Sequence, residues 1–157
     1  MYQSNMADCP FNKLSSNQTQ TDVVNIFGSP NKRTKWVSPD DNYKSDATYV
    51  DEYAYTFMNN TGLLRITYIG GGIYSATFWI DYPLNNPSVF DKSVYFSKET
   101  VEKLALHIIK YYTKKYGNYR LKRDSYVWDL GGGETISFEF DTRDKHIPIQ
   151  LEWHSNR

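Results

Sequence analysis

The sequence is poor in cysteine and carries no net charge. Cys9 is the only cysteine in 157 residues, so no internal disulfide can form. A chain of this length buries about two-thirds of its extended-chain surface, and it can fold without disulfides or metals. Lys plus Arg and Asp plus Glu both number 18. This balance argues against a nucleic-acid partner, because proteins that bind nucleic acids usually carry a basic surface.

Long apolar runs and catalytic motifs are also missing. No stretch approaches the roughly 20 apolar residues that span a bilayer, so we expect no membrane-spanning segment. No Gly-x-Ser-x-Gly sequence occurs. The histidines lack the spacing typical of metal ligands; they are His107, His146 and His154. We therefore predict neither catalysis nor a cofactor.

Two triple-glycine runs occur, at residues 70–72 and 131–133. A phosphate-binding loop requires a helix whose N-terminus follows the glycines. Both runs lie instead between stretches of alternating apolar and polar residues, which are typical of strands. They therefore predict hairpin turns.

Aromatic residues are abundant, with 14 Tyr, 8 Phe and 4 Trp. Tyr and Trp suit half-buried sheets and interfaces because an apolar ring carries a polar tip. These residue types are also enriched in strands. The composition therefore indicates a protein rich in β-structure.

The same pattern occurs twice along the chain. A helix ends at Phe27-Gly28 in the first half, and a longer helix over about 98–116 ends before Gly117 in the second. Three alternating strands follow each helix, at 53–57, 64–68 and 74–80 and then at 126–130, 135–140 and 147–153. We predict an α+β fold of two αβββ-like units, 19–82 and 95–154. Together they form one compact domain (19–157), with one antiparallel sheet and both helices packed on one face.

Two segments fall outside this pattern. Residues 1–18 are polar and lack periodicity, so they predict a flexible N-terminal arm docked by Phe11 and Leu14. Residues 1–6 resemble the remainder of a cleaved affinity tag, and we expect a signal peptide to have been removed ahead of Ala7. Cys9 near this boundary fits an exported or lipid-anchored protein. Residues 31–47 predict a polar loop inserted in the first half, in which Trp36 is a candidate contact residue.

Alternation along the strands assigns a second face to the sheet. Side chains that alternate with the apolar set point away from the helices, and that side of the sheet is open to water. Trp79 is a large ring on this otherwise small and polar face, and Trp and Arg are frequent interface hot spots. We predict Trp79 as the anchor, with Arg65 and Glu139 orienting the partner. The full set of candidate partner-binding residues is Trp79, Arg65, Thr67, Thr77, Glu139, Glu152 and Trp36.

The doubled plan opens on Thr-x-Thr-Asp-Val-Val-Asn-Ile-Phe-Gly-Ser-Pro at residues 19–30. In this it resembles the beta-lactamase-inhibitor-protein-like superfamily over residues 19–154. Small outer-membrane-assembly lipoproteins are similar through a single unit with a related helix–Gly-x-Pro opening. The resemblance implies an exported bacterial protein that is periplasmic, outer-membrane-anchored or secreted. It also implies binding of another protein through the sheet face opposite the helices.

We therefore expect a non-enzymatic protein-binding module. A carbohydrate-binding module is an alternative, because exposed aromatic rings also stack on sugars; a line of coplanar rings would favour it. A cytoplasmic immunity-type inhibitor of a toxin is a further alternative. An enzyme would require a deep pocket that gathers His154 with Glu152 or Glu139.

Overall fold

The computed structural model describes residues 9–36, 48–57, 60–80, 98–142 and 149–156. These residues form a short 3-10 helix (Pro10–Lys13) and the helices α1 (Gln20–Phe27) and α2 (Lys98–Tyr116). The strands in chain order are β1 (Lys32–Trp36), β2 (Thr48–Phe57), β3 (Asn60–Ile69), β4 (Gly72–Ile80), β5 (Arg120–Lys122), β6 (Ser125–Gly131), β7 (Glu134–Phe140) and β8 (Ile149–His154).

All these strands belong to one antiparallel sheet in the order β1-β2-β3-β4-β8-β7-β6-β5. The central pair is β4 and β8, which joins the first half of the chain to the second. Strands β1 and β5 lie at the two edges. The α+β class with an antiparallel sheet is therefore confirmed.

Within the described residues, each half contributes four strands instead of the predicted three. The additional strand β1 lies inside the segment 31–47 that was predicted to be a loop. Its sequence is Lys-Arg-Thr-Lys-Trp, which lacks an apolar alternation. An edge strand can form without an apolar alternation. Charged side chains are common at such an edge, where they hinder pairing with other chains. Residues 37–47 lie outside the described residues.

Helix α1 ends where the sequence predicts, and α2 matches its predicted range. The hydroxyl of Thr19 accepts a hydrogen bond from the Asp22 amide while the Asp22 carboxylate accepts one from the Thr19 amide, which caps α1. Gly28 ends α1 with a φ of 84°. Helix α2 buries an apolar stripe at helical spacing, made of Val101, Leu104, Ala105, Ile108 and Tyr112.

Both helices pack on the same face of the sheet, which holds the core. Phe27 of α1 lies 5.6 Å from the ring of Tyr53 on β2, and Tyr112 of α2 lies 5.2 Å from Trp128 on β6. The strand register places Tyr53 and Trp128 on one side of the sheet. The fully buried residues that this side contributes near the sheet centre include Leu64, Ile66, Ala76, Phe78, Ile136, Phe138, Leu151 and Trp153.

The described part of the N-terminal segment is docked on the core through Phe11 and Leu14, as the sequence predicts. Cys9, Phe11 and Leu14 are buried in the core, and the Cys9 thiol is hydrogen-bonded to the Tyr112 hydroxyl. The Asn12 side-chain amide donates to the Tyr111 hydroxyl at 2.9 Å. Three apolar side chains and these polar contacts to α2 hold the segment in place. Residues 1–8 lie outside the described residues.

Candidate functional site

The side of the sheet opposite the helices is the candidate site, and we call it the open face. Its register places Arg65, Thr77 and Glu152 side by side on β3, β4 and β8. In the next row, Trp79 lies opposite Gln150. Gln150 in turn lies opposite Glu139 on β7. Adjacent strands are about 4.8 Å apart, so these residues occupy a compact patch.

Six of the seven predicted residues therefore share one surface: Arg65, Thr67, Thr77, Trp79, Glu139 and Glu152. Thr67 belongs to it because it lies opposite Ser75, which in turn lies opposite His154. Trp36 is not brought to this patch. It is the last residue of the edge strand β1, opposite Thr48, and its side chain lies outside the described part of the structure.

Arg65 and Trp79 form a contact pair on the open face. The Arg65 guanidinium lies 5.0 Å from the centre of the Trp79 ring, which is a cation–π geometry. Nε and Nη2 of Arg65 also donate to Oε1 of Glu52 at 3.2 and 2.9 Å. Arg65 is thus held from two sides. The half-buried Trp79 ring is held in a fixed orientation beneath it.

Glu152 and His154 form a second cluster on β8. They are two residues apart on the same side of the strand, and Nε2 of His154 pairs with the Glu152 carboxylate. This hydrogen bond raises the pKa of His154, because the carboxylate favours the protonated imidazole. The open face therefore retains a positive charge at His154 to a higher pH than a free histidine would.

Tyr74 is a residue of this cluster that the sequence pattern missed. Alternation along β4 predicts that Tyr74 points toward the helices. The register shifts between Thr67 and Tyr68, and the Tyr74 ring meets the His154 ring edge-on at 6.1 Å. The glycines that precede β4 are the only sign of this irregularity in the sequence.

The remaining acidic groups of the open face have polar partners. Glu139 is exposed and accepts a hydrogen bond from the Ser125 hydroxyl at 2.5 Å. Asp129 accepts from Nε and Nη2 of Arg120 at 3.0 and 3.3 Å. Between the charged groups lie half-buried small polar side chains, namely Thr67, Ser75, Thr77, Thr135 and Ser137. Two apolar residues, Leu63 opposite Trp79 and Val127 opposite Ser137, are buried on the same side of the sheet. The face is consequently a mixed surface of small polar and apolar side chains with one large indole.

The His154–Glu152 pair lies on the open face itself, whereas the cysteine lies away from it. Cys9 is buried on the helix side, and this burial raises the pKa of its thiol to about 11. At neutral pH it is therefore a thiol and a poor nucleophile. Within the described ranges, no three His, Cys, Asp or Glu side chains are arranged to hold a metal ion. His146 lies outside those ranges.

A small cleft of about 180 Å³ lies between α1 and β1. Its lining residues are Gln20, Thr21, Val24, Asn25 and Arg33. Nε and Nη2 of Arg33 donate to the two carboxylate oxygens of Asp51 at 2.7 and 2.9 Å. Asp51 is fully buried. The Arg33 guanidinium is therefore engaged in a structural ion pair, and the cleft is a weaker candidate binding site than the open face.

Neither α1 nor α2 combines the length and the apolar character that crossing a bilayer requires. A scan against protein-family models finds no match to this chain, and searches of curated proteins and of solved structures find none either. The functional argument therefore depends on the open face itself.

Proposed function

We propose that this chain is a non-enzymatic protein-binding module that holds a partner protein against the open face. The observation that carries the proposal is the Arg65–Trp79 pair, fixed by Glu52 on a continuous sheet. A surface that is already ordered loses little conformational entropy when it binds. Trp and Arg are also the residue types that most often dominate binding energy in interfaces. Glu139 and Glu152 orient the partner from the other half of the chain.

The composition of the open face favours a protein over a carbohydrate. Stacking on sugars calls for a line of coplanar rings. In the described part of this face, Trp79 and Tyr74 are five residues apart on β4, roughly 16 Å at the usual rise per residue. Small hydroxyl side chains and paired charges separate them. Such a mixed surface around one aromatic anchor is typical of a protein interface.

We also propose that the fold is a tandem repeat over residues 19–82 and 95–154. In the described part of each half a helix precedes four strands, and the last of these strands from the two halves pair at the sheet centre. An antiparallel pair is what two halves related by a two-fold axis would form there.

We propose that the protein is exported from a bacterial cell, with the periplasm, the outer membrane or the medium as its destination. The helix–Gly-Ser-Pro opening that it shares in pattern with exported binding proteins supports this. Fractionation of the organism that encodes the chain tests it. Recovery in the cytoplasm alone would contradict export and favour an immunity-type inhibitor.

A photo-crosslinking residue tests the binding surface before the partner is known. We expect capture of a protein when the crosslinker replaces Thr67 on the open face. We expect none when it replaces Leu106, which is exposed on α2. Equal capture from both positions would contradict the proposal.

The captured partner then allows a measurement of affinity. Trp79→Ala should raise the Kd by about thirtyfold or more, which corresponds to the roughly 2 kcal/mol of a hot spot. Leu106→Ala is the matched control and should leave the Kd unchanged. Circular dichroism checks that both variants fold. An unaltered Kd for folded Trp79→Ala would exclude the open face as the docking surface, and unfolding of Trp79→Ala would show that Trp79 belongs to the core.

A further inference from the structure

We propose that the edge strand β5 is a second docking site, distinct from the Arg65–Trp79 patch of the open face. It would take an extended peptide segment in which acidic and apolar residues alternate, and this segment would add to the sheet as a further strand. Strand addition to an exposed sheet edge is a recurrent mode of peptide recognition. Four observations carry the inference: the direction of the backbone groups of β5, its exposed apolar side chains, its charge and its incompatibility with a second copy.

The backbone of β5 offers unpaired hydrogen-bonding groups. Lys122 lies opposite Ser125 across a two-residue turn, so these two form a hydrogen-bonded pair. Such pairs alternate along an antiparallel ladder with pairs that make no hydrogen bonds to each other. Leu121, opposite Tyr126, belongs to the second kind. Its N–H and C=O therefore point away from β6, toward a side where the described residues place no strand.

Apolar side chains next to this edge are exposed on the helix side of the sheet. Leu121 is 66% exposed and Tyr119 is 39% exposed. The Tyr119 ring lies 4.8 Å from that of Tyr126, and the Tyr126 ring stacks on Phe140 at 6.2 Å. These residues form an apolar shelf beyond the C-terminal end of α2. An aliphatic side chain of an added strand would pack on it opposite Leu121.

The other side of β5 is basic. Arg120 and Lys122 alternate with Leu121, and Arg123 follows in the turn. Arg120 forms an ion pair with Asp129, whereas Lys122 and Arg123 have no acidic partner in the described part of the chain. Acidic side chains opposite Arg120 and Lys122 would neutralise this edge. Opposite charges across neighbouring strands contribute roughly 0.2–1 kcal/mol each.

The same charges disfavour a second copy of this chain as the occupant. An antiparallel pair of two β5 strands centred on Leu121 would place Arg120 of each copy opposite Lys122 of the other. Like charges opposite each other destabilise a sheet. The edge thus repels copies of itself, as short basic edge strands commonly do, while it remains complementary to an acidic strand.

A short synthetic peptide of alternating Glu and Val, titrated into the ¹⁵N-labelled full chain, tests the proposal. We expect saturable shifts centred on the amides of Tyr119 and Leu121. A peptide of the same composition with its Glu and Val residues in separate blocks should bind at least about tenfold more weakly, because it cannot place both side-chain types correctly. Equal binding of the two peptides, or no binding of either, would overturn the proposal.

Leu121→Pro removes the outward N–H without removing a hydrogen bond between β5 and β6. This substitution should weaken binding of the alternating peptide by about tenfold or more. Leu121→Val keeps the N–H and should bind the peptide like the original chain. A Leu121→Pro chain with intact β5 signals and undiminished binding would overturn the proposal.

A peptide N-methylated at every second amide covers the case in which Leu121→Pro disturbs β5. This peptide should not bind the original chain when the methylated amides are the ones that face β5. Binding that is retained whichever alternate set of amides is methylated would contradict strand addition. Trp79→Ala should leave peptide binding unchanged, because Trp79 on β4 lies four strands away from β5.

Discussion

Asp51 shows how a single charged residue specifies the edge of this sheet. It lies on the helix side of β2 with no exposed surface, where an unpaired carboxylate would be costly. Arg33 satisfies both carboxylate oxygens. The basic residues of β1 therefore have a structural role in pairing with β2. This role explains how a segment that reads as a polar loop forms a strand.

Cys9 leads to a prediction about stability at alkaline pH. Burial raises the pKa of its thiol to about 11, although the hydrogen bond to Tyr112 acts in the opposite direction. In the unfolded chain a thiol titrates near pH 8.5. The folded state therefore favours the neutral thiol. The contribution of the neutral Cys9 thiol to the free energy of unfolding is therefore fully present below about pH 8 and is lost as the pH rises toward 11.

The size of this effect is up to about 2–3 kcal/mol, because each pKa unit corresponds to about 1.4 kcal/mol. Urea unfolding between pH 7 and pH 11 measures it, with Cys9→Ala for comparison. The free energy of unfolding should fall less steeply in Cys9→Ala. Buried tyrosines also lower the stability at high pH, because burial raises their pKa above that of the unfolded chain, and both proteins contain them. Parallel curves for the two proteins would contradict the prediction.

The elements differ in how strongly the sequence signals them. Helix α2 has an apolar stripe over 19 residues, and the strands that cross the core alternate clearly, so both could be predicted. Strand β1 carries no alternation because it buries no apolar row of its own. The second strand of the first half was predicted to begin at 64, whereas β3 begins at Asn60. Its residue Gly62 is buried in the sheet, which a turn signal cannot reveal.

Gly62 leads to a prediction about the β3–β4 pair. A Cβ at this position would lie 2.1 Å from the Trp79 carbonyl oxygen and 3.0 Å from the Phe78 ring. Gly62→Ala must therefore push β3 and β4 apart, and we expect a loss of about 2–4 kcal/mol in the free energy of unfolding. Gly70→Asn is the control. Gly70 has a φ of 61° with nothing within 4 Å of a Cβ, and Asn tolerates this conformation.

Urea denaturation measures both variants. The Gly70→Asn protein should remain within about 1 kcal/mol of the original chain. A Gly62→Ala protein as stable as the control would mean that the two strands can adjust without cost. Because the contact is to the backbone of Trp79, the same substitution should also displace the anchor of the open face.

At the scale of the whole molecule, alternation could predict which side chains share a face but not which of them are neighbours. Thr77 and Glu152 are 75 positions apart in the chain, and only the β4–β8 pairing brings them together. The Arg65–Trp79 contact likewise depends on the register of β3 against β4. Trp36 was chosen for its residue type in an apparent loop, and nothing in the local pattern revealed that it ends an edge strand.

Both edges of the sheet carry basic side chains, and these charges oppose association of the molecule with other copies of itself. Lys32 and Lys35 lie on β1, and Arg120 and Lys122 lie on β5. Charged residues at an edge disfavour pairing with another sheet. A chain without net charge depends on such local charges to resist association, because its overall charge provides no repulsion.

The central β4–β8 pair predicts that the two halves unfold together. Leu151 on β8 is fully buried, with Phe78 of the first half on one side and Phe138 of the second on the other. Leu151→Ala should lower the free energy of unfolding by about 2–5 kcal/mol through the cavity it leaves. Because one core serves both halves, this loss should reach the amides of β3 as well as those of β7.

Native-state hydrogen exchange measures the effect strand by strand. The most protected amides of β3 and β7 should lose protection by equal free energies in Leu151→Ala. Leu106→Ala is the control, since Leu106 is exposed on α2 and should change neither strand. Loss of protection confined to β7 would show that the halves are independently stable. In that case the open face would be assembled from two domains, and Arg65 could shift relative to Glu152 instead of being held at a fixed distance from it.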